Sequence, residues 1–170
     1  MHISLNDAWT LLHGMVLGAL FLLAFAGGWA GLYSLRSELV TAEGIKERMH
    51  RLRLGTWTMA AVAWLTVITG TWIPYVLYRA KGPDSPKSIL LANHATAGWH
   101  EFGMEFKEHV AWIAPILATV VAYLVYYYGP RLARNEKVRR IAMTLFTLAF
   151  ATAAAAGLFG ALITKAAPIK

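Results

Sequence analysis

The residues of this sequence best suited to chemistry are two of its six histidines. His13 lies near the start of one long apolar segment, and His109 lies at the start of another. An ionisable side chain inside a membrane helix is uncommon and usually functional, and a haem iron is held by axial side chains such as imidazole. If the two segments run parallel on the diagonal of a bundle, both histidines point inward at a similar depth. The sequence therefore predicts that His13 and His109 bind the iron of one haem b.

Small side chains are concentrated at the depth of these histidines, and spacings of three, four and seven residues place them on common helix faces. We expect Gly70 and Gly157 to contact the macrocycle. The alternative is small-xxx-small packing, in which glycines let helices approach closely. The small residues come from three apolar segments: Gly14, Gly18, Thr66, Thr69, Gly70, Ala153 to Ala156, Gly157, Gly160 and Ala161.

Cationic side chains near the same end could bind the haem propionates. Arg79 is the first choice, because a guanidinium binds a carboxylate through two hydrogen bonds. Lys81, Lys87 and Lys107 are further candidates. The alternative interpretation is that these side chains anchor the helices by reaching to lipid headgroups.

A second polar group precedes His109 and leaves three interpretations open. A quinol site would use imidazole and carboxylate groups to accept the hydroxyl protons. A non-haem site for zinc, iron or copper would use the same ligand types. The third interpretation is a solvated helix end that docks a partner subunit and binds neither quinol nor metal. His94 or His100 could also replace His109 as the haem ligand. The quinol interpretation involves His100, Glu101, Glu105 and Glu108.

The composition indicates that these residues belong to an integral membrane protein. Hydrophobic residues make up 58% of the 170 residues and charged residues 15%, whereas soluble domains are about 45–50% apolar. Cysteine is absent, which excludes disulfides, iron–sulfur clusters, thiolate metal sites and haem attached through cysteine. The net charge of +7 resides in short basic stretches between apolar segments, so we interpret it as a topology signal and expect no nucleic-acid partner.

Four segments without Asp, Glu, Lys or Arg are long enough to cross about 30 Å of hydrocarbon. Backbone polar groups cannot remain unpaired in lipid, so uninterrupted apolar runs of this length favour helices. We predict an all-α fold, an up-down bundle of four membrane helices forming a single membrane domain over 1–170. The predicted spans are 11–35, 56–78, 109–128 and 141–164, and a partly helical outer loop covers 79–108.

The basic residues predict how the bundle is oriented. By the positive-inside rule, the two basic connections face the cytoplasm, and both termini and the 79–108 loop lie outside the cytoplasmic (inner) membrane. No Lys or Arg precedes the first segment, so we expect no cleavable signal peptide. The basic residues are Arg36, Lys46, Arg48, Arg51 and Arg53 in the first connection, and Arg131, Arg134, Lys137, Arg139 and Arg140 in the second.

The sequences LLHGMVLGALFLLAF around His13 and KEHVAWIAP around His109 resemble the four-helix membrane cytochromes b, broadly of the cytochrome b561 and respiratory dehydrogenase b-subunit type. The resemblance covers the four helices but not Ser88 to Glu108. It implies a subunit of a redox complex that passes electrons between quinones and soluble or periplasmic partners. Members with two haems carry a further pair of histidines on the cytoplasmic side, where this chain has only His50, so one haem and an outer-side relay are expected.

Together these features predict a b-type cytochrome subunit that relays electrons between quinol or quinone and an extracytoplasmic redox partner, in contact with membrane lipid and other subunits. The sequence contains no Ser/His/Asp arrangement, phosphate-binding glycine loop or HExxH motif, so catalytic turnover would belong to a complex. Two other classes remain open. One is a cofactor-free scaffold or accessory subunit, and the other is a His/Glu metal-binding membrane protein or small permease.

Overall fold

The described part of the chain is helical throughout. The structure, a computed structural model, describes residues 4–36 and 40–168, so His2 lies outside it. Four helices are long and apolar enough to cross a membrane, which confirms the predicted all-α class and indicates a multi-pass membrane protein. The helices are α1 (Leu5–Ser34), α2 (Ala42–Trp72), the short α3 (Pro74–Tyr78) and α4 (Pro86–Ala92), α5 (His94–Ala133) and α6 (Glu136–Ala166).

The four long helices form a ring in sequence order. Each packs against the next, and α6 returns to pack against α1. The starts of α1 and α5 meet the ends of α2 and α6 at one end of the bundle, so consecutive long helices are antiparallel and α1 and α5 run in the same direction on opposite corners of the ring. We call the end with the α1–α2 and α5–α6 connections the basic end and the other the open end. Which end faces the cytoplasm stays a prediction.

Each long helix extends beyond its apolar run because a polar cap starts it earlier. The Ser4 side chain accepts a hydrogen bond from the Asp7 amide, and the Asp7 carboxylate accepts one from the Ser4 amide. Thr41 and Asn135 cap α2 and α6 in the same way through Gly44 and Val138. Such caps satisfy amide groups that have no partner inside the helix. The helices therefore begin several residues before the predicted spans at 11, 56 and 141.

The connection before the third span is shorter than the predicted 79–108 loop. The Ser85 side chain caps α4, a short helix within the outer loop that was expected to be partly helical. Asn93 then caps His94, where α5 begins and continues for 40 residues. A straight helix of that length would measure about 60 Å, roughly twice the hydrocarbon thickness. The histidine- and glutamate-bearing turns are thus part of the third long helix.

Two wide turns interrupt the regular helices near the open end. Leu12–Val16 in α1 and Trp99–Met104 in α5 are π-helical. A π-turn accommodates one extra residue, and such turns are frequent at functional sites. Both changes of helical phase lie close to the histidines singled out from the sequence, at His13 and His100.

The dense core lies toward the basic end. An added Cβ at Gly28 would lie 2.7 Å from Cε1 of the Phe146 ring, so α1 and α6 are in close contact there. Phe25 stacks on Phe150 with ring centroids 4.2 Å apart. Other buried members of this core are Phe21, Leu32, Leu35, Met59, Val121, Val125 and Leu132. This packing fixes the helix positions at the basic end, whereas the open end is less densely filled.

We predict that Gly28→Ala destabilises the bundle. Its methyl group would overlap the Phe146 ring, which is fully buried, and overpacking of this kind typically costs about 1–3 kcal/mol. The matched control is Gly27→Ala, because nothing lies within 4 Å of a Cβ at Gly27. Thermal unfolding in detergent should give a lower melting temperature for Gly28→Ala alone. Equal melting temperatures for the two variants would contradict this account of the core.

Candidate functional site

The open end of the bundle encloses a cavity of about 820 Å³. All four long helices contribute to its wall, and most of the lining side chains are small or apolar. Its volume falls within the range of about 300–1,000 Å³ that is typical of ligand and cofactor sites. The lining residues lie within Thr10 to Phe21, Ala63 to Tyr78, Met104 to Ala114 and Ala153 to Ala167.

Glycines on the cavity wall leave space that a side chain would occupy. An added Cβ at Gly14, Gly18 or Gly157 would meet nothing within 4 Å. These three glycines therefore make no close contact with another helix of this bundle, which gives no support to small-xxx-small packing of Gly14 and Gly18 inside it. Gly70 has a different role, because an added Cβ there would lie 2.8 Å from Cε1 of His13. Its missing side chain makes room for the imidazole.

His13 lines this cavity with its ring orientation fixed by α2. Nδ1 of His13 lies 3.1 Å from Oγ1 of Thr69, and the Thr69 hydroxyl donates to the Leu65 carbonyl at 2.7 Å. A hydroxyl has a single hydrogen, and the contact of Thr69 with the Leu65 carbonyl is the shorter of the two, so we assign that hydrogen to Leu65 and the acceptor role toward His13 to the Thr69 oxygen. Nδ1 then carries the ring hydrogen, and Nε2 presents a lone pair.

His109 lines the same cavity from α5, on the opposite corner of the ring. Its Nδ1 donates to the Glu105 backbone carbonyl at 2.8 Å, and a carbonyl can only accept. In the neutral imidazole, Nε2 of His109 then presents the lone pair. The side chain is 73% exposed, so the imidazole lies at the open edge of the cavity, whereas His13 is partly buried. The structure thus brings the two predicted ligands to one cavity in unequal surroundings.

Lys107 extends into the cavity between α5 and α6. Its Nζ lies 2.8 Å from the position of an added Cβ at Gly160, and the side chain is partly buried. Within the described residues, no carboxylate lies within ion-pair distance of this ammonium group. The sequence placed Lys107 among the secondary candidates for a propionate, and the structure gives it the best position of the four. Gly160, which leaves space for the Lys107 side chain, is the sequence feature that could have ranked Lys107 higher among these candidates.

Arg79 does not line the cavity, because two carboxylates hold it at the rim. Its Nη2 donates to Glu108 at 2.7 Å and lies 3.6 Å from Glu105. The guanidinium also lies over the Tyr75 ring, 5.1 Å from its centroid. The hydrogen bond from Arg79 to Glu108 raises the pKa of the Arg79 guanidinium. Arg79 is thus committed to ion pairs within the protein, and the expectation that it is the first partner of a propionate gains no support.

His100 and Tyr78 form a buried polar contact beside the cavity. The Tyr78 hydroxyl lies 2.8 Å from Nδ1 of His100, and both side chains are buried. Tyr78 also lines the cavity, whereas His100 does not. The π-turn of α5 contains His100. The sequence singled out His100 but not Tyr78, so the pairing of the two was missed.

The remaining predicted polar residues are not brought together. Glu101 is exposed and takes part in no ion pair among the described residues. His94 is exposed at the start of α5 and lies off the cavity wall, which gives no support to its role as an alternative haem ligand. Over the described ranges no group of three or more His, Asp or Glu residues could hold a metal ion. A non-haem metal site of that size therefore has no candidate there.

Comparison with family models, with curated proteins and with solved structures finds no match for this chain. The resemblance to four-helix cytochromes b accordingly stays a prediction. What the structure contributes is the site itself, a cavity with two imidazoles, one lysine and a polar rim.

We predict that Glu108→Gln destabilises the junction between α3 and α5. The variant removes the closer of the two charged partners of Arg79, and hydrogen bonds to charged groups are worth about 1.5–3 kcal/mol. Both side chains retain some exposure to solvent, so we expect a loss of roughly 1–2 kcal/mol. Glu101→Gln is the matched control, since it makes the same change on the same helix without losing an ion pair. A melting temperature unchanged in both variants would show that the pair contributes nothing to stability.

Proposed function

We propose that the chain is a b-type cytochrome subunit of the cytoplasmic membrane that holds one haem between His13 and His109. The observation that carries the proposal is the position and the hydrogen bonding of the two imidazoles. They line one cavity from diagonally opposed helices, and each uses Nδ1 on a protein acceptor. Metal-binding histidines commonly donate their other ring N–H to such an acceptor, which fixes the tautomer and aims the free nitrogen at the metal.

The cavity has further features that suit a planar, dianionic cofactor. Gly14, Gly18 and Gly157 leave open wall rather than helix contact, and Gly70 accommodates the His13 ring. Lys107 supplies a positive charge without a carboxylate partner of its own among the described residues, so it would bind a propionate. A bound haem would supply one-electron redox chemistry at its iron.

The polar rim fits the exchange of electrons with a quinol. Oxidation of a quinol to a quinone releases two electrons and two protons, so a site for it needs a one-electron acceptor used twice and groups that take up protons. His100 and Glu108 are bases near the rim, and Tyr78 links His100 to the cavity wall. The positive-inside rule would place this end outside the cytoplasm, where an extracytoplasmic redox partner would receive the electrons.

A cofactor-free accessory subunit is the second candidate function. The observation that favours it is the 73% exposure of His109, which leaves that imidazole available to a partner subunit. In that case the exposed apolar side chains of the helices would meet lipid or other subunits, and the cavity would hold lipid.

A visible spectrum of the purified full-length protein distinguishes the two candidates. We expect a reduced-minus-oxidised band of b type that is lost in His13→Ala and in His109→Ala. His94→Ala is the control, because His94 lies off the cavity. Bands that survive both substitutions would refute these ligands, and a wild-type protein without bands after expression with ample haem would favour the accessory subunit.

Lys107 gives a second, independent prediction for the same site. Removing a positive charge close to a haem favours the oxidised state, so Lys107→Met should lower the midpoint potential by tens of millivolts, where about 59 mV corresponds to a tenfold change for one electron. Lys87→Met is the control, because Lys87 does not line the cavity. Redox titration of the absorption band measures the midpoint potential of both variants. Equal midpoint potentials in the two variants would show that Lys107 does not belong to the haem site.

A further inference from the structure

A second cavity lies at the basic end of the bundle, far along the helices from the histidines. It has a volume of about 530 Å³ and lies between the end of α1 and the start of α6. Four of its lining residues are arginines: Arg36, Arg134, Arg139 and Arg140. The proposed haem site makes no use of this region, so it calls for a separate explanation.

The charge of this cavity is strongly positive. Glu136 is the one acidic residue among the described residues that line it, and its Oε1 lies 2.5 Å from Nη2 of Arg140. The pair neutralises one arginine. Arg36, Arg134 and Arg139 also line the cavity, and no other described lining residue carries a carboxylate to balance them. Like charges gathered in one cavity repel each other, and an anion from outside the protein would relieve that repulsion.

Contacts with the protein hold parts of this cluster in place. Nη1 of Arg139 donates to the carbonyl groups of Leu35 and Ala133, each at 3.3 Å. This side chain thereby joins the end of α1 to the α5–α6 connection. The Arg36 guanidinium lies 3.9 Å from the centroid of the Tyr33 ring, and Tyr33 stacks on Trp29 with centroids 5.5 Å apart. Fixed guanidinium groups lose less freedom when an anion binds.

We propose that this cavity binds the phosphate group of an anionic membrane phospholipid. Guanidinium groups bind phosphate oxygens through paired hydrogen bonds. Basic pockets between membrane helices are suited to acidic lipid headgroups.

Two features favour a lipid over free phosphate. Trp29 and Tyr33 line the cavity, and such aromatic residues prefer the headgroup level of the bilayer. Met143, farther along α6, extends the wall in the direction of the apolar part of the helix. An acyl chain attached to the phosphate would continue along that surface, whereas an inorganic ion would use only the arginines.

The test compares lipid binding to two variants of equal charge. Arg36→Gln/Arg134→Gln removes two lining arginines whose guanidinium groups hold no hydrogen bond to the described backbone. Arg51→Gln/Lys137→Gln removes the same charge outside the cavity, from positions that do not line it. The probe is phosphatidylglycerol, with phosphatidylcholine as the neutral comparison. Native mass spectrometry of the full-length protein gives the lipid occupancy, and melting temperature without added lipid checks that both variants fold.

We expect tight phosphatidylglycerol binding to the wild type and the control variant, and at least tenfold weaker binding to Arg36→Gln/Arg134→Gln. Two results would overturn the proposal. Equal loss in both variants would mean that diffuse surface charge attracts the lipid. Full displacement of the lipid by millimolar inorganic phosphate, or equal stabilisation by it, would assign the cavity to a soluble anion.

Discussion

The packing of Phe146 against Gly28 is the constraint on which the rest of the bundle depends. An aromatic ring in van der Waals contact with a backbone that has no side chain brings α1 and α6 together near the basic end. Interiors of this kind are close-packed, so helix positions there are well defined. Toward the open end, glycine and alanine replace the large side chains, and no neighbouring helix moves in to compensate. The cavity is thus a consequence of where the bulky residues stop.

At the rim, polar contacts add to a small second hydrophobic cluster that includes Tyr78, Leu90, Met104 and Ile163. Arg79 joins α3 to α5 through Glu108 and Glu105, and Tyr78 joins them again through His100. Charged hydrogen bonds are strong where water is partly excluded. This arrangement keeps the ends of two helices in register while leaving the space between the four helices open. It also shows why Arg79 and Lys107 differ: one cation is used to build the rim, and the other faces the cavity.

Sequence reasoning was sufficient for the features that depend on composition and period. Apolar runs without charge identified the four long helices, and the co-occurrence of glycine with His13 and His109 located the cavity. Features that depend on helical phase could not be predicted from the sequence. Glu101 and Glu105 were expected in one polar site, yet Glu101 belongs to the π-turn of α5 and takes part in no ion pair among the described residues, whereas Glu105 lies 3.6 Å from Arg79. An apolar pattern cannot reveal where a helix takes in an extra residue. The sequence also could not show that Lys107, and not Arg79, lines the cavity, because this depends on how α5 is rotated against α3 and α6.

The π-turn at Leu12–Val16 determines which residues before it face the cavity. A π-turn is an α-helix carrying one residue more than its neighbours require, and loss of that residue would rotate everything before it by about 100°. Thr10 and Leu11, which now form part of the wall, would swing toward the surroundings of the bundle. The position of the amino-terminal turns of α1 at the cavity thus depends on the one extra residue of this turn. A variant with one residue deleted there would have a different cavity entrance while keeping the same four helices.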